Sequence, residues 1–220
     1  MTSISIPSFE IRGLNGREEG VVLLRNIEYY GRVSHDAQDK RTDTSWEKFL
    51  KTWVVEHGDW SITEHEKVTV LATMDRGISH EWVRHRIGSY TQESTRFVNY
   101  TKAGRQALFV RPPFAKAASV LVWEAAMAYA EESYKSLITL GEPPQIARSV
   151  FPTALKTTIA TTFNLRNWRH FLLMRTCREA HPQIKELCIP LLRTFQQRIP
   201  LLYDDIVPEE PQRVAAAKAR

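Results

Sequence analysis

Residues 84–97 read RHRIGSYTQESTRF, and this stretch decides how the rest of the chain is interpreted. It opens with three adjacent cations, Arg84, His85 and Arg86. Successive side chains on a helix point about 100° apart, so three adjacent cations cannot share one solvent-facing stripe. At least one of them is therefore expected to face inward, where it needs an anion. The alternative is an ordinary charged helix end, where the helix dipole favours cations.

The regions next to the three cations have periodic patterns of their own. Apolar residues alternate from Glu66 to Met74, which predicts a half-buried strand. The segment from Ile78 to Ile87 is predicted to form a short helix that contains the cations, and the segment from Gly88 to Tyr100 a polar loop. The cations would then lie where this helix meets the loop.

Farther upstream, apolar residues between Thr44 and Gly58 recur at i, i+3 and i+4, which predicts a helix that ends at the glycine. Thr44 and Glu47 have the spacing of a capping box. Residues 1–43 are expected to form one or two strands through the apolar run Val21 to Leu24 and the pair Tyr29-Tyr30. A charged loop from His35 to Asp43 is expected to follow.

Downstream, an Ala- and Leu-rich helix is predicted from Ala115 to Leu140, and the alternating, Thr-rich segment from Leu155 to Phe163 is predicted to be a strand. Two amphipathic helices should follow from Asn164, separated near Pro182. The sequence shows no internal repeat or composition break, so a single α+β domain is expected over residues 1–207. Residues 208–220 are expected to form a frayed tail.

Composition excludes several classes of protein. Of the 220 residues, 43% are hydrophobic and 25% charged, which is typical of a globular chain and argues against disorder. No apolar run approaches the roughly 20 residues that cross a bilayer, and no secretory signal is visible, so a cytoplasmic protein without a membrane partner is expected. Cys177 and Cys188 are too few for a disulfide framework or a metal knuckle, and no metal is expected.

The charge balance indicates an anionic partner. Thirty Lys and Arg residues against 25 Asp and Glu residues give a net charge of +5. The cations occur singly or in threes inside patterned segments and not in one basic block, so a nucleic-acid partner is not expected. This placement favours pockets for small phosphates.

RHR is followed, after seven residues, by Ser94. Four other short sequence motifs occur in a fixed order around this pair. They are Gly31-Arg32-Val33-Ser34, the segment Gly58 to His65 with its Glu64-His65 end, Ala147-Arg148, and Asn164-Leu165-Arg166 leading into His170-Phe171 and Arg175. RHR alone is a weak signal. The ordered set, which spans roughly residues 31 to 195, is similar to the motifs of the flavin-dependent thymidylate synthase family.

This resemblance implies a fold of helices around a twisted antiparallel sheet, of the thymidylate-synthase-complementing type. It implies a homotetramer whose flavin and nucleotide sites lie where subunits meet. The implied reaction is methylation at C5 of a uridine monophosphate, most simply dUMP to dTMP. Its carbon would come from 5,10-methylenetetrahydrofolate and its hydride from FAD that NADPH has reduced.

The resemblance also assigns residues to the two sites. Arg175 matches the position that stabilises anionic character on the uracil, and it is the predicted catalytic residue. The predicted substrate-binding residues are Glu81, Arg84, Gln92, Ser94, Thr95, Arg96, Arg148 and Arg175. The predicted FAD-binding residues are Ser61, Glu64, Arg84, His85, Arg86, Ile87, Asn164, Arg166 and His170. Because no G-x-G-x-x-G is present, side chains and local backbone donors would hold the diphosphate.

Three positions depart from the family pattern. Asp59 stands where the family usually has His, Gln92 where many members have Glu, and Glu81 where a Gln commonly helps to hold the nucleotide. A carboxylate beside a phosphate is repulsive unless it pairs with a cation or a sugar hydroxyl. The change at Glu81 therefore leaves the choice of sugar open, and a related enzyme that methylates UMP is the second hypothesis. A flavin- or nucleotide-binding module without turnover is the third.

Several of these residues also have ordinary structural interpretations. Ser94 has no His or Asp partner that the sequence can place, so it is interpreted as part of a nucleotide-binding loop and not as a nucleophile. His65 could equally cap a turn. Arg166 and Arg175 are out of register on a helix and cannot share one solvated stripe. Core packing is predicted for Trp168, Phe171, Leu172 and Met174, and burial for Cys177 and Cys188.

Overall fold

A four-stranded antiparallel sheet forms the centre of the protein, whose computed structural model describes residues 3–210. In chain order the strands are β1 (Ile4–Ser5), β2 (Ser8–Arg12), β3 (Lys67–Asp75), β4 (Ser89–Gln92), β5 (Phe109–Val110) and β6 (Lys156–Asn164). The main sheet has the order β2-β3-β6-β4, and β1 pairs in parallel with β5. The α+β fold with an antiparallel sheet that the sequence predicts is confirmed.

Seven α-helices accompany the sheet in the described part of the chain. They are α1 (Arg17–Val33), α2 (Ser45–Leu50), α3 (Arg76–Trp82), α4 (Ala117–Thr139), α5 (Pro144–Ala147), α6 (Leu165–Thr176) and α7 (Pro182–Arg198). The predicted long helix and the two helices separated near Pro182 are therefore confirmed as α4, α6 and α7.

The two central strands are the ones with the clearest alternation in the sequence. β3 and β6 pair from Lys67 opposite Asn164 to Asp75 opposite Lys156. Alternate residues of each strand are buried, as a strand with one face on a core requires. On the other face, Thr hydroxyls bond across the strands, with 2.8 Å between the Oγ1 atoms of Thr69 and Thr162. Both predicted strands are thus confirmed.

The main core joins the sheet to α1, α6 and α7. Leu24 of α1, Trp168 and Phe171 of α6, and Leu192 and Phe195 of α7 are fully buried in it. A smaller core that includes Phe109, Tyr134 and Leu155 lies beneath α4. No helix in the described range is long and apolar enough to cross a membrane.

The strands predicted through Val21 to Leu24 and Tyr29-Tyr30 are wrong, because both segments lie in α1. The backbone N–H of Gly16 donates to Glu19 over 2.9 Å at the start of this helix. Leu24 and Ile27 are buried three residues apart, which is the spacing of one helix face and not of a strand. The polar start of the chain supplies β1 and β2 instead.

The helix predicted from Thr44 to Gly58 is present, but its start differs. The Thr44 side chain makes no capping bond, so the predicted capping box is wrong. Thr42 and Ser45 instead exchange two hydrogen bonds between backbone N–H and side-chain oxygen, 2.9 and 3.1 Å long. After α2 the chain continues as a π-helix over Lys51–Glu56, and the positive φ of Gly58 ends it as predicted.

Two predictions around residue 88 are corrected. α3 ends at Trp82 and not at Ile87, and the predicted loop from Gly88 contains β4. The strand was missed because its alternation is short and its residues are polar.

In the predicted tail, the backbone N–H of Glu209 donates to the Thr176 carbonyl over 2.9 Å. The rest of that predicted tail, residues 211–220, lies outside the described residues.

Candidate active site

The three cations lie in a turn between α3 and β4 and not on a helix. The hydroxyl of Tyr90, in β4, donates to the backbone carbonyl of His85 and fixes this turn. Burial raises the pKa of Tyr90 to about 12, so the phenol keeps its proton and remains a donor at neutral pH. Arg84 and Arg86 are exposed while His85 is half-buried. The expectation that one of the three residues faces inward is confirmed for His85, but the anion expected beside it is not found among the described residues.

The His85 ring lies among aromatic side chains. Its centroid is 4.8 Å from that of Phe163 and 5.2 Å from that of His170. Burial lowers the pKa of His85, and the nearby His170 and Arg175 charges lower it further. Its Nε2 is buried and has no hydrogen-bond partner among the described residues. A buried, unpaired ring nitrogen of this kind is suited to a ligand that the chain itself does not supply.

The start of α6 packs against the same turn. Asn164 caps the helix by accepting from the backbone N–H of Asn167 over 2.8 Å. The Asn167 side chain in turn donates to the Ile87 carbonyl over 3.3 Å. Arg166 pairs with Glu64 over 2.6 Å, which links α6 to the 3₁₀ helix Trp60–His65. Predicted FAD-binding residues from three separate segments are therefore neighbours.

This arrangement fits a cofactor with a diphosphate. Within residues 3–210, Arg84 and Arg86 form no ion pair, so both guanidinium groups are available to an anion. The N-terminus of α6 adds partial positive charge beside them. Guanidinium forks and a helix N-terminus together supply the donors that the diphosphate of a flavin dinucleotide needs, and the unpaired His85 nitrogen adds a polar contact.

Ser61, in the same 3₁₀ helix as Glu64, lines a cavity of about 530 Å³. Its wall includes Arg32, whose guanidinium carbon lies 5.0 Å from the centre of the Phe49 ring. Gly31 is needed here because a Cβ at this position would lie 2.7 Å from the Phe49 ring. Asp59, one of the three departures from the family pattern, lines the same cavity.

The predicted nucleotide-binding residues separate into two groups. In the first, Arg148 donates to Thr95 Oγ1 over 2.8 Å, and Thr95 is buried. Ser94 Oγ accepts from the backbone N–H of Arg96 over 3.2 Å. No His or Asp bonds the Ser94 hydroxyl in the described part of the chain, in agreement with its interpretation as a loop residue. The side-chain Nε2 of Gln92 donates to Thr157 Oγ1 over 3.1 Å, and this bond fixes the end of β4.

The first group contains residues that sequence reasoning missed. Arg76 and His80 of α3 line a cavity of about 430 Å³ together with Thr95 and Arg148. Arg76 is half-buried and donates to the Glu93 carbonyl over 3.3 Å. The only feature of the sequence that could have indicated Arg76 is its position directly after the buried end of β3. The cavity therefore holds two guanidinium groups, as a phosphate site would require.

The second group consists of Arg175 and Glu81. Arg175 donates to the Glu81 backbone carbonyl over 2.7 Å and to its carboxylate Oε2 over 3.4 Å. The Arg175 side chain is 20% exposed, whereas that of Arg166 is 51% exposed. The two arginines therefore leave α6 in different directions, as their spacing predicts.

Other predictions from the sequence have mixed outcomes. Trp168, Phe171 and Leu172 are core residues as predicted, but Met174 is exposed and its predicted burial is wrong. α6 turns this position away from the core because Phe171 and Leu172 already fill the buried face. Cys188 is buried, whereas Cys177 is only half-buried because it follows the end of the helix.

Comparison with known proteins identifies the family of the chain. Residues 21–201 match the family model described as "Thymidylate synthase complementing protein". The flavin-dependent thymidylate synthase of Pyrococcus furiosus is 34% identical over 185 residues, which are 83% of this chain and 73% of that protein. That of Geobacter sulfurreducens is 30% identical over 192 residues, 87% of this chain and 82% of the relative.

The fold has a solved counterpart. A crystal structure of the UMP/dUMP methylase PolB from Streptomyces cacaoi with 5-Br dUMP superposes with a TM-score of 0.75 at 21% identity, covering 92% of this chain and 95% of that chain. The family model and these relatives together define the class of the chain as that of the flavin-dependent thymidylate synthases, which is a class of enzymes. The chain belongs to the thymidylate synthase complementing protein family.

Proposed function

We propose that this protein methylates C5 of a uridine monophosphate in a flavin-dependent reaction, with dUMP as substrate and dTMP as product. One observation carries this proposal. The RHR turn and the start of α6, which lie far apart in the sequence, are joined by the Asn167–Ile87 hydrogen bond. Beside them, Arg84 and Arg86 form no ion pair with any residue between 3 and 210. Membership of a family whose relatives include flavin-dependent thymidylate synthases gives the reaction class.

The proposed phosphate site is the group around Arg148. Its guanidinium already donates to Thr95, and the nearby Arg76 and Arg96 can add charge-assisted bonds to phosphate oxygens. Arg96 is exposed and forms no ion pair in the described range. These residues bind and orient the substrate.

The proposed catalytic residue is Arg175. When C5 or C6 of uracil reacts, negative charge develops at N3 and O4, and a planar guanidinium can meet both atoms. The Glu81 carbonyl holds one edge of the Arg175 guanidinium at 2.7 Å, so the group is oriented before substrate arrives. Preorganised donors lose little free energy to reorientation during the reaction.

The proposed cofactor is FAD, held by Arg84, His85, Arg86, Ile87, Asn164, Arg166 and His170, with Ser61 and Glu64 from the 3₁₀ helix. When bound, the flavin supplies hydride transfer. The proposed reductant is NADPH and the proposed carbon donor is 5,10-methylenetetrahydrofolate, both implied by the resemblance. The proposed assembly is a homotetramer, which would place residues of neighbouring subunits in one site.

UMP is the second candidate substrate. The observation that favours it is Glu81, whose carboxylate lies beside Arg175 and can accept a bond from a sugar hydroxyl. The solved counterpart PolB is described as a UMP/dUMP methylase. The hypothesis of a module without turnover is not retained, because the family is one of enzymes.

The test uses purified full-length protein with FAD, NADPH, methylenetetrahydrofolate and either dUMP or UMP. We expect the methylated nucleotide to form only when all components are present, detected by chromatography and mass spectrometry. The flavin assignment is tested separately by fluorescence titration. Arg84→Ala and Arg166→Ala should each weaken FAD binding relative to Arg193→Ala, an exposed arginine on α7. Equal FAD affinity in all three variants would contradict the assignment.

A further inference from the structure

Arg169 of α6 lies between Arg166 and His170, two residues that are proposed to hold the flavin, but its own guanidinium contacts other parts of the chain. It donates to the backbone carbonyl of Leu202 over 2.8 Å and to both oxygens of the Asp205 carboxylate. The Arg169 side chain is only 16% exposed. A cation withdrawn from water in this way is stable only where partners hold it on several sides.

The third partner of this guanidinium is the Trp60 ring. The guanidinium carbon of Arg169 lies 4.4 Å from the centre of the ring. A cation over an aromatic face is attracted by the ring quadrupole, and the attraction is stronger where water is excluded. Trp60 begins the 3₁₀ helix Trp60–His65, which carries the proposed flavin contacts Ser61 and Glu64. Arg169 therefore connects α6 to the segment that supplies the other proposed flavin contacts.

The ion pair Arg166–Glu64 is a second side-chain link between α6 and the 3₁₀ helix. Its two side chains are 51% and 46% exposed, and exposed ion pairs contribute little because water and salt screen them. Both residues are also proposed to contact the flavin. The contact between Arg169 and Trp60 is more buried and involves no proposed ligand contact, so it can hold the 3₁₀ helix in place before the flavin binds.

The segment that follows α7 supports Arg169 from another side. The hydrogen bond from Arg169 lowers the pKa of Asp205, so this carboxylate is ionised at neutral pH. In the same segment Tyr203 is fully buried, and its hydroxyl donates to the Leu165 carbonyl at the start of α6 over 3.0 Å. Residues 202–205 can therefore orient the Arg169 guanidinium, because they are themselves anchored on α6.

We propose that Arg169 is a positioning residue for the flavin site, which holds Trp60 so that the 3₁₀ helix presents Ser61 and Glu64 to the cofactor. The proposal rests on the proposed function for the identity of the cofactor. Arg169 itself does not contact the flavin. When its guanidinium is removed, the 3₁₀ helix loses a buried contact with α6 and samples other positions. Part of the binding free energy of FAD is then spent on ordering this helix.

The first test measures the dissociation constant of FAD by titration calorimetry on the full-length protein. Arg169→Met keeps an apolar stem and removes the charge, and it should raise this constant about tenfold, as for one partly buried cation–π contact. Arg169→Lys keeps a charge over the ring but loses the fork to Asp205, so its effect should be smaller. Trp60→Leu should match Arg169→Met, whereas Trp60→Phe, which keeps an aromatic face, should bind FAD more tightly than Trp60→Leu.

The double variant Arg169→Met/Trp60→Leu shows whether the two residues act through one contact. If they do, it should bind FAD no more weakly than either single variant. Independent losses would multiply to about a hundredfold and would overturn the proposal. The matched control is Arg193→Met, which removes an exposed arginine paired with Glu210 and should bind FAD like the wild type.

A second measurement follows hydrogen–deuterium exchange in the absence of FAD. Arg169→Met should speed the exchange of the backbone amides of residues 60–65 and leave that of β3 and β6 unchanged. Gly20→Ala is the control for a general loss of stability, because a Cβ there would lie 1.6 Å from the Arg198 carbonyl oxygen. It should leave the dissociation constant of FAD unchanged. If Arg169→Met and Gly20→Ala weaken FAD binding equally, Arg169 acts only on stability and the proposal is overturned.

The outcomes separate this proposal from the proposed function. If the wild type binds FAD and Arg169→Met binds it equally well, the positioning role is overturned while the flavin assignment stands. If FAD affinity depends on Arg169 and Trp60 as expected but no nucleotide is methylated, the proposed reaction fails while the positioning role stands. A wild-type protein that binds no FAD would overturn both.

Discussion

Arg175 is held on two sides by one residue, and this decides how it can be tested. Its guanidinium bonds both the backbone carbonyl and the carboxylate of Glu81. The backbone contact would persist in most variants of Glu81, because it does not depend on the side chain. The role of Arg175 itself can therefore be tested separately from the charge beside it.

Replacing Arg175 by Lys keeps the charge but removes the planar fork that can meet N3 and O4 together. We expect kcat for methylation to fall about a hundredfold, as for one lost oxyanion donor, with a smaller change in KM. Flavin reduction by NADPH, the proposed reductant, should be unchanged because this step does not involve the uracil. Stopped-flow flavin reduction and single-turnover methylation measure the two steps.

Arg193→Lys, at an exposed ion pair with Glu210, is the matched control and should leave both rates unchanged. A normal methylation rate in Arg175→Lys would remove this residue from the proposed role. An equal loss in both half-reactions would do the same, since it would indicate general damage.

The half-buried His85 gives a prediction about pH. Burial, His170 and Arg175 lower its pKa below the ordinary value of 6.5. A lowered folded-state pKa means that the unfolded chain binds the proton more readily. The free energy of unfolding should therefore decrease as pH falls from 6.5 through the folded-state pKa of His85, and its contribution is fully present above pH 6.5. In His85→Gln this decrease should be smaller.

The measurement is urea unfolding at a series of pH values, followed by circular dichroism. His57→Gln removes an exposed histidine and should follow the wild-type pH dependence. Identical pH dependence in His85→Gln and the wild type would contradict the assignment of this effect to His85.

At the scale of elements, packing against the sheet positions both sites. The Asn164 cap and the Tyr90 hydroxyl fix the start of α6 and the RHR turn at the same end of β6. α6 carries Arg166 to one site and Arg175 to the other. Any change that displaces α6 should therefore affect flavin and nucleotide binding together.

Close contact between α1 and α7 gives a prediction about stability. A Cβ added at Gly20 would lie 1.6 Å from the Arg198 carbonyl oxygen, which belongs to the backbone and cannot turn away. Gly20→Ala should therefore lower the free energy of unfolding by about 1–3 kcal/mol, as for an overpacked core. Urea unfolding measures the change. Gly16→Ala, whose Cβ would meet only a side-chain oxygen at 3.4 Å, should cost less.

At the scale of the whole molecule, several apolar side chains are not covered by the described chain. Leu121, Val122 and Tyr129 are exposed on one face of α4, and Ile87 and Phe97 are exposed next to the proposed sites. Exposed apolar surface beside the proposed sites is what a homo-oligomer would cover. This supports the proposed homotetramer.

The proposed assembly can be tested by mixing inactive variants. Arg84→Ala removes a proposed flavin contact and Arg148→Ala removes a proposed phosphate contact, so each variant alone should be inactive. If subunits share sites, co-refolding the two variants should recover part of the wild-type activity in hybrid sites, while each refolded alone should remain inactive. Light scattering at micromolar concentration should give the mass of a tetramer, and a monomer would refute the assembly.

The sequence by itself determined the elements with strong local patterns and the family. The alternation of apolar residues predicts β3 and β6, and helical periodicity and proline positions predict α4 and α7. Sequence motifs that occur in a fixed order, with particular residue types at particular spacings, indicate the family. The core positions of Trp168 and Phe171 follow from their apolar character. These elements depend on residues close together in the chain, and the family depends on residue types in a fixed order, so a single sequence records both.

Tertiary structure alone decided what depends on distant contacts. The apolar run in α1 has no period that excludes a strand, and it is helical because Leu24 and Ile27 meet the core on one face. The RHR residues form a turn because Tyr90 bonds the His85 carbonyl. Glu81 meets Arg175 across 94 positions of sequence, and no local pattern encodes that contact. The chemistry at the site is a property of this packing, because hydrogen bonds depend on distances that residue order does not specify.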